Sequence, residues 1–399
     1  MRPEVTTLRK LLSNFLPVRE KMTSLLSKKE PVFTVVSSNS PLRYVAMLAS
    51  MLMLLLAGAV AVVQASGPSG VEDSGNSFHY FLRHIIAVAV AIIGLLFTLH
   101  IDYRKWRKWA GGLIFISFLG LIAVEVVGSS ANGSTRWIDL GPLNFQPSEL
   151  LKLSTVIGLA SFLAQRRRQI AISKKLVMSV MGALAAMGLV VAVLQSDLGT
   201  AVLIAVMVVG MLFVSGVPIR YLLFPLSLVA AAGGILIASE PYRRSRIVGM
   251  LNPLDYCGNE TWQLCQAWAT LANGGLTGTG FGSGHAKWGW VPAAHTDFVF
   301  AVIGEEVGFL GGVVIIGLLG ALSLLGFRTA QEAPDFFGSL LAAGITIWFT
   351  GQTFINLGGV LGLIPITGIP LPFISYGGSA LLFTVSAAGI LLNIARQSG

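Results

Sequence analysis

The chain has 399 residues, of which 54% are hydrophobic and only 11% charged, with a formal net charge of +9. A soluble domain carries about 25% charged residues, so this sequence lacks the polar surface that a water-soluble core would need. What remains is an all-α polytopic integral membrane protein, read as one membrane domain of about ten helices.

In chain order, residues 1–42 form a basic tail, and 43–395 carry the membrane domain. The tail is too long, and the first apolar run too wide, for a cleavable signal peptide, although Val63-Gln64-Ala65-Ser66 faintly resembles a cleavage site. The first run is therefore a retained span. Ten spans are expected at 43–65, 81–101, 109–128, 148–164, 175–195, 198–215, 220–239, 297–326, 336–359 and 372–394. Each is bounded by Gly, Pro or charge and is close to the ~20 residues that cross a bilayer. With both termini in the cytoplasm, twenty of the 27 Lys and Arg lie inside and seven outside, as the positive-inside rule requires. The basic balance then sets orientation, and no nucleic-acid partner is needed. The same topology puts residues 240–296 outside, as the longest loop, with a second outer loop near 129–147.

The outer cations call for a reason. Arg243, Arg244 and Arg246 cluster in EPYRRSRIVGMLNP, and Lys287 and Arg136 lie in other outer segments. Snorkelling onto membrane-lipid headgroups is one reading. The other is a site for an anion, since guanidinium forks match phosphate oxygens. A lipid with a diphosphate headgroup would satisfy both. Residues 274–284, GGLTGTGFGSG, have no preceding strand and no GK[ST], so they suit a tight re-entrant turn better than a nucleotide loop.

HTDFVFAVIGEE (295–306) places three carboxylates beside a long apolar run. Asp297 stands where loop becomes helix, so it is either an N-cap or a functional group. Glu305 is roughly 12 Å further along the axis, too far to share a proton with it. Ionisable groups at membrane depth are functional candidates by default, here Glu305, Glu306, Glu125 and Lys152. Glu149 and Lys152 have the i,i+3 spacing of an ion pair. His285, His295, Asp297 and Glu260 match no zinc spacing; a Mg²⁺ bridging a diphosphate and Asp297 fits better. Cys257 and Cys265 share the outer loop, as a bridge or as two separate thiols.

Five stretches then identify a family. RWIDLGPLNFQPSELLKL (136–153), QSDLGTA (195–201), EPYRRSRIVGMLNP (240–253), VPAAHTDFVFAVIGEEVGFLG (291–311) and NLGGVLGLIPITGIPLPFISYGGSALL (356–382) together resemble the SEDS proteins of bacterial shape, elongation, division and sporulation. The similarity runs from the first span to about residue 394. It is closer to the cell-division member than to the elongation member, on IGEE (303–306) and the extended tail.

The resemblance implies a ten-span peptidoglycan glycosyltransferase in the bacterial cytoplasmic membrane, at the division septum. It would polymerise lipid II through β-1,4 links on the outer face. It also implies a class B penicillin-binding protein as transpeptidase partner, alongside other division-site membrane proteins. The family's essential aspartate maps onto Asp297, its PYR arginines onto Arg243 and Arg246, QPSExxKL onto Glu149 and Lys152, and SYGGS onto 375–379. His295, Gln263, Ser375 and Lys287 complete the expected substrate-binding set. Departures are Ala293 for a frequent Glu, Ser196 for Pro, and Trp262 for Tyr.

In the expected reaction Asp297 takes the proton of the acceptor 4-hydroxyl. Arg243 and Arg246, helped by Lys287 or Lys152 and by Mg²⁺ or Mn²⁺, neutralise the leaving diphosphate. No organic cofactor and no general acid are required. The rivals are a lipid II flippase, an elongation-type polymerase and a non-catalytic division scaffold.

Overall fold

Long apolar runs fold as helices because, in lipid, every backbone N–H and C=O must be paired within the protein. The computed structural model describes residues 40–131, 134–141, 144–170, 173–238, 244–245, 249–250, 253–258, 261–292 and 294–398. All ten expected spans are helical in it. They are α1 (Ser40–Ser74), α2 (His79–His100), α3 (Tyr103–Val127), α4 (Pro147–Gln165), α5 (Lys174–Val193), α6 (Leu198–Val214) and α7 (Ile219–Ala238). After the long loop, which carries α8 (Trp262–Gly274), come α9 (Val299–Glu332), α10 (Phe336–Val360) and α11 (Gly378–Gln397). Among the described residues, eight helices are long and apolar enough to cross a membrane, and α6, with 17 residues, is shorter.

Several features differ from the expectation, among them α3 starting at Tyr103 and α9 running to Glu332. α1 continues past residue 65 to Ser74, so that Glu72 and Asp73 stand beyond its apolar part. α11 begins at Gly378 rather than 372, because 361–377 is a non-helical loop. The second outer loop holds a small antiparallel sheet, β1 (Ser129–Ala131), β2 (Ser134–Asp139) and β3 (Asn144–Phe145), in the order β1-β2-β3.

The bundle has a centre and a rim. In their most apolar windows α4, α10 and α11 are 89%, 72% and 78% buried, whereas α2 and α3 are 28% and 22% buried. α2 and α3 thus turn most of their apolar surface outward, as lipid-facing helices do. One end is fastened by charge: the buried Arg43 reaches Glu332 at 2.7 Å, and Arg104 reaches Asp335 at 3.1 Å. The disulfide between Cys257 and Cys265, Cα atoms 5.7 Å apart, ties the start of α8 to the turn before it.

α9 is the exception to regular backbone. It breaks at Gly308, whose φ of 77° and ψ of −173° lie in a region that essentially only glycine occupies. The glycine-rich loop after α8 repairs the break. Phe309 and Leu310 donate to the carbonyls of Gly275 and Leu276, while Thr279 and Gly280 donate to those of Glu305 and Glu306. Gly278, also at positive φ, lies so close that a Cβ there would stand 2.2 Å from the Glu306 carbonyl oxygen. We expect Gly308→Ala to destabilise the protein by about 1–3 kcal/mol or more. Gly182→Ala, where a Cβ meets open space within the helix α5, leaves stability nearly unchanged. Thermal unfolding in detergent compares the two.

Candidate functional site

Among the described residues, the 295–298, 366–369 and 375–376 segments meet at one end of the bundle. Asp297 precedes α9 directly, with Phe298 at the N-cap position. It is half-buried and lines a small cleft with Asn356, Gly359, Ile366, Thr367, Gly368 and Ile369. Gly368 is at φ 75°, and a Cβ on it would lie 3.5 Å from Asp297 Oδ2. The carboxylate thus rests against bare backbone.

Below the pocket lies a buried polar chain. Lys152 Nζ is 2.7 Å from Glu149 Oε2, and the two side chains are 1% and 3% exposed. Lys152 also donates to Gln352 Oε1 at 3.2 Å, which accepts from Trp348 Nε1 as well. The Gln352 Nε2 donates to the Pro370 carbonyl. Glu149 owes its place to the first turn of α4, where helix N–H groups favour a carboxylate. The backbone N–H of Gln146 donates to Ser379 Oγ at 3.0 Å, which brings the QPSE and SYGGS segments together.

His295 packs between aromatic rings, 4.8 Å from Tyr80 and 5.5 Å from Tyr376, and its carbonyl accepts from the Tyr376 N–H. Burial pushes its imidazole down to about 4, against the partial opposition of Asp73. Tyr376 is raised by burial and held by a hydrogen bond with Arg83. Arg83 also donates to the Gly141 carbonyl at 2.9 Å.

The sequence profile of the family described as "Cell cycle protein", covering FtsW, RodA and SpoVE, matches residues 45–399. The chain belongs to this family. It is 37% identical over 350 residues to stage V sporulation protein E of Bacillus subtilis, covering 87% of this chain and 95% of that one. It is 38% identical over 351 residues to the probable peptidoglycan glycosyltransferase FtsW of Aliivibrio salmonicida, covering 86% of each. In structure it resembles a chain of a peptidoglycan synthase complex that coordinates polymerization and crosslinking, with TM-score 0.73 and 30% identity over 88% of this chain and 97% of that chain. The rod shape determining protein RodA of Thermus thermophilus gives TM-score 0.65 at 28% identity, over 88% and 96%.

Within this FtsW/RodA/SpoVE member, the expected site residues divide by location. Asp297, His295 and the 365–369 segment share the pocket end. Lys152 and Glu149 are buried against each other, which removes Lys152 from direct contact with solvent. Lys287 donates to the Gly282 carbonyl beside the Trp288 ring, inside the glycine-rich loop. Ser375 accepts from the Leu371 N–H and closes the preceding turn. Gln263 is half-buried on α8, and Arg136 is engaged by the carbonyls of Gln195 and Ser196. Glu125 is exposed on the last turn of α3. Arg243, Arg246, Ala293 and Glu260 lie outside the described residues. Among the described residues, no three His, Cys, Asp or Glu side chains gather as a metal site.

The buried Glu305 carboxylate accepts from Asn273 Nδ2, the His285 N–H and the Ala286 N–H, between 2.8 and 3.0 Å. It is an anchor for the glycine-rich loop. Sequence reasoning gave no role to Arg83, Gln352 or Asn356. Arg83 was visible as one of the seven outer cations, and the two amides as polar interruptions four residues apart in an apolar helix.

Two expectations follow. Lys152→Met leaves Glu149 buried without a partner and should cost about 3–5 kcal/mol, most of which Glu149→Gln in the same chain recovers; chemical unfolding in detergent measures both. For His295, the folded protein resists a proton that the unfolded chain accepts near 6.5. Its contribution is therefore present above about pH 6.5 and lost as pH falls toward 4. His295→Gln should flatten the fall of melting temperature across that window.

Proposed function

We propose that this protein is a peptidoglycan glycosyltransferase that polymerises lipid II at the outer face of the cytoplasmic membrane during septal wall synthesis. One observation carries the reading: the Asp297 carboxylate stands at a cleft lined by the 355–360 and 366–369 segments of the family's motifs. Relatives named as FtsW peptidoglycan glycosyltransferases, at 36–38% identity, support the reaction class, and their name favours division over elongation. The neighbouring synthase complex, in which polymerization and crosslinking are coordinated, supports a class B penicillin-binding protein as the transpeptidase partner.

The geometry suits one half of the chemistry well. Asp297 accepts the proton of the acceptor sugar's 4-hydroxyl as its oxygen attacks the donor's anomeric carbon, and the C–O bond to the lipid diphosphate breaks. A diphosphate departs as an anion, so no second carboxylate is needed to protonate it, unlike the usual glycosidase pair. Stabilising that anion falls to Arg243 and Arg246, with Arg83 added at the pocket end. Lys152 acts from below through Gln352 rather than by contact. A divalent cation would find a single carboxylate, Asp297, among the described pocket residues, and would take its other ligands from the substrate diphosphate and water, as Mg²⁺ usually does.

The test is polymerisation of lipid II, with Mg²⁺, by the purified protein in complex with its transpeptidase partner. Asp297→Asn should lower the rate by about 10²–10⁴-fold. A variant that polymerises at the wild-type rate removes Asp297 as the base.

A further inference from the structure

Asn356 lies on α10, four residues beyond Gln352, and is 4% exposed. Its Nδ2 donates to two backbone carbonyls, those of Asp297 and Ile369, each at 2.8 Å. Only the nitrogen of an amide can serve two carbonyl acceptors, so the orientation of the side chain is settled. Oδ1 is turned away, buried, and has no hydrogen-bond partner. A buried acceptor left without a donor weakens a fold, so packing alone does not account for this residue.

We propose that Asn356 is a positioning residue for Asp297. The inference rests on Asp297 being the base. The peptide of Asp297 belongs to the segment entering α9, and Ile369 to the segment that forms the opposite pocket wall. These are separate stretches of chain, and α10 is the packed element between them. One amide joins both to that helix. It sets where the Asp297 backbone stands, and through it how the carboxylate lies over Gly368. Gln352 makes the corresponding bond to the Pro370 carbonyl, but its second partner is Lys152. The two amides thus share the 369–370 segment and serve different ends of the polar chain.

Misplacing a catalytic group by about 1 Å costs on the order of 10²-fold in rate. The loss should therefore fall on kcat and leave substrate affinity alone. The experiment measures kcat and KM for lipid II in the complex with the transpeptidase partner, for Asn356→Ala and Asn356→Ser. Rates are expressed per molecule that still binds lipid II, so a merely unfolded fraction does not register. We expect kcat to fall about 10- to 100-fold in Asn356→Ala and less in Asn356→Ser, which keeps one donor, with KM within about twofold of wild type. Wild-type kcat in either variant, or a higher KM at unchanged kcat, overturns the proposal. If Asn356→Ala does not fold, the Ser variant alone decides. Should Asn356→Ala retain full rate while Asp297→Asn is inactive, only the positioning role fails. Should Asp297→Asn itself run at the wild-type rate, the base assignment fails first.

Discussion

Unpaired backbone is very costly in a membrane, and the break of α9 at Gly308 is where this fold meets that constraint. An unbroken helix would pair its own carbonyls and present Glu305 and Glu306 with nothing to hold. The break frees those groups, and the glycine-rich loop binds them, with Gly282 also donating to Gln64 of α1 at 2.7 Å. Glycine is required on both sides, at Gly308 for its dihedrals and at Gly278 for close approach. The glutamate anchor, the loop and the His295–Asp297 segment are therefore one assembly. The costly Glu305 carboxylate holds the loop, while Asp297 lines the pocket at the head of the same helix.

The polar interior follows a similar logic. Glu149 and Lys152 neutralise each other away from water, so neither is a free charge moving along a path. The pair is also fixed to the pocket wall through Gln352 and Pro370. A charge held in that way contributes to the field near the pocket without touching a ligand. Arg83 reaches the same end from α2, pinned by Gly141 and Tyr376, and can meet an anion there. Acceptance of a proton and stabilisation of a departing anion are thus assigned to different helices.

Hydropathy made the ten spans legible, because a ~20-residue apolar run has few alternatives to a helix. The ion pair of Glu149 and Lys152 was legible as well, from i,i+3 spacing alone. Spacing left the cysteines undecided, since a bridge depends on how the loop folds back. α8 was missed because WQLCQAWATLANG is too short and too mixed to stand out inside an outer loop. The bonds between 275–280 and 305–310 depend on a backbone conformation that no periodicity reports. Asn356 opens the NLGG stretch, but its partners, Asp297 and Ile369, are 59 and 13 residues away in sequence. No local pattern carries such a contact.

The central claim is that bond formation takes place at the Asp297 end of the bundle, on lipid II already present in that leaflet. Proteoliposomes holding the protein and its transpeptidase partner in one orientation, with lipid II confined to a single leaflet, test it directly. Glycan polymer should form when lipid II faces Asp297, without appearance of lipid II in the opposite leaflet. Lipid II crossing between leaflets with no polymer formed would contradict the account.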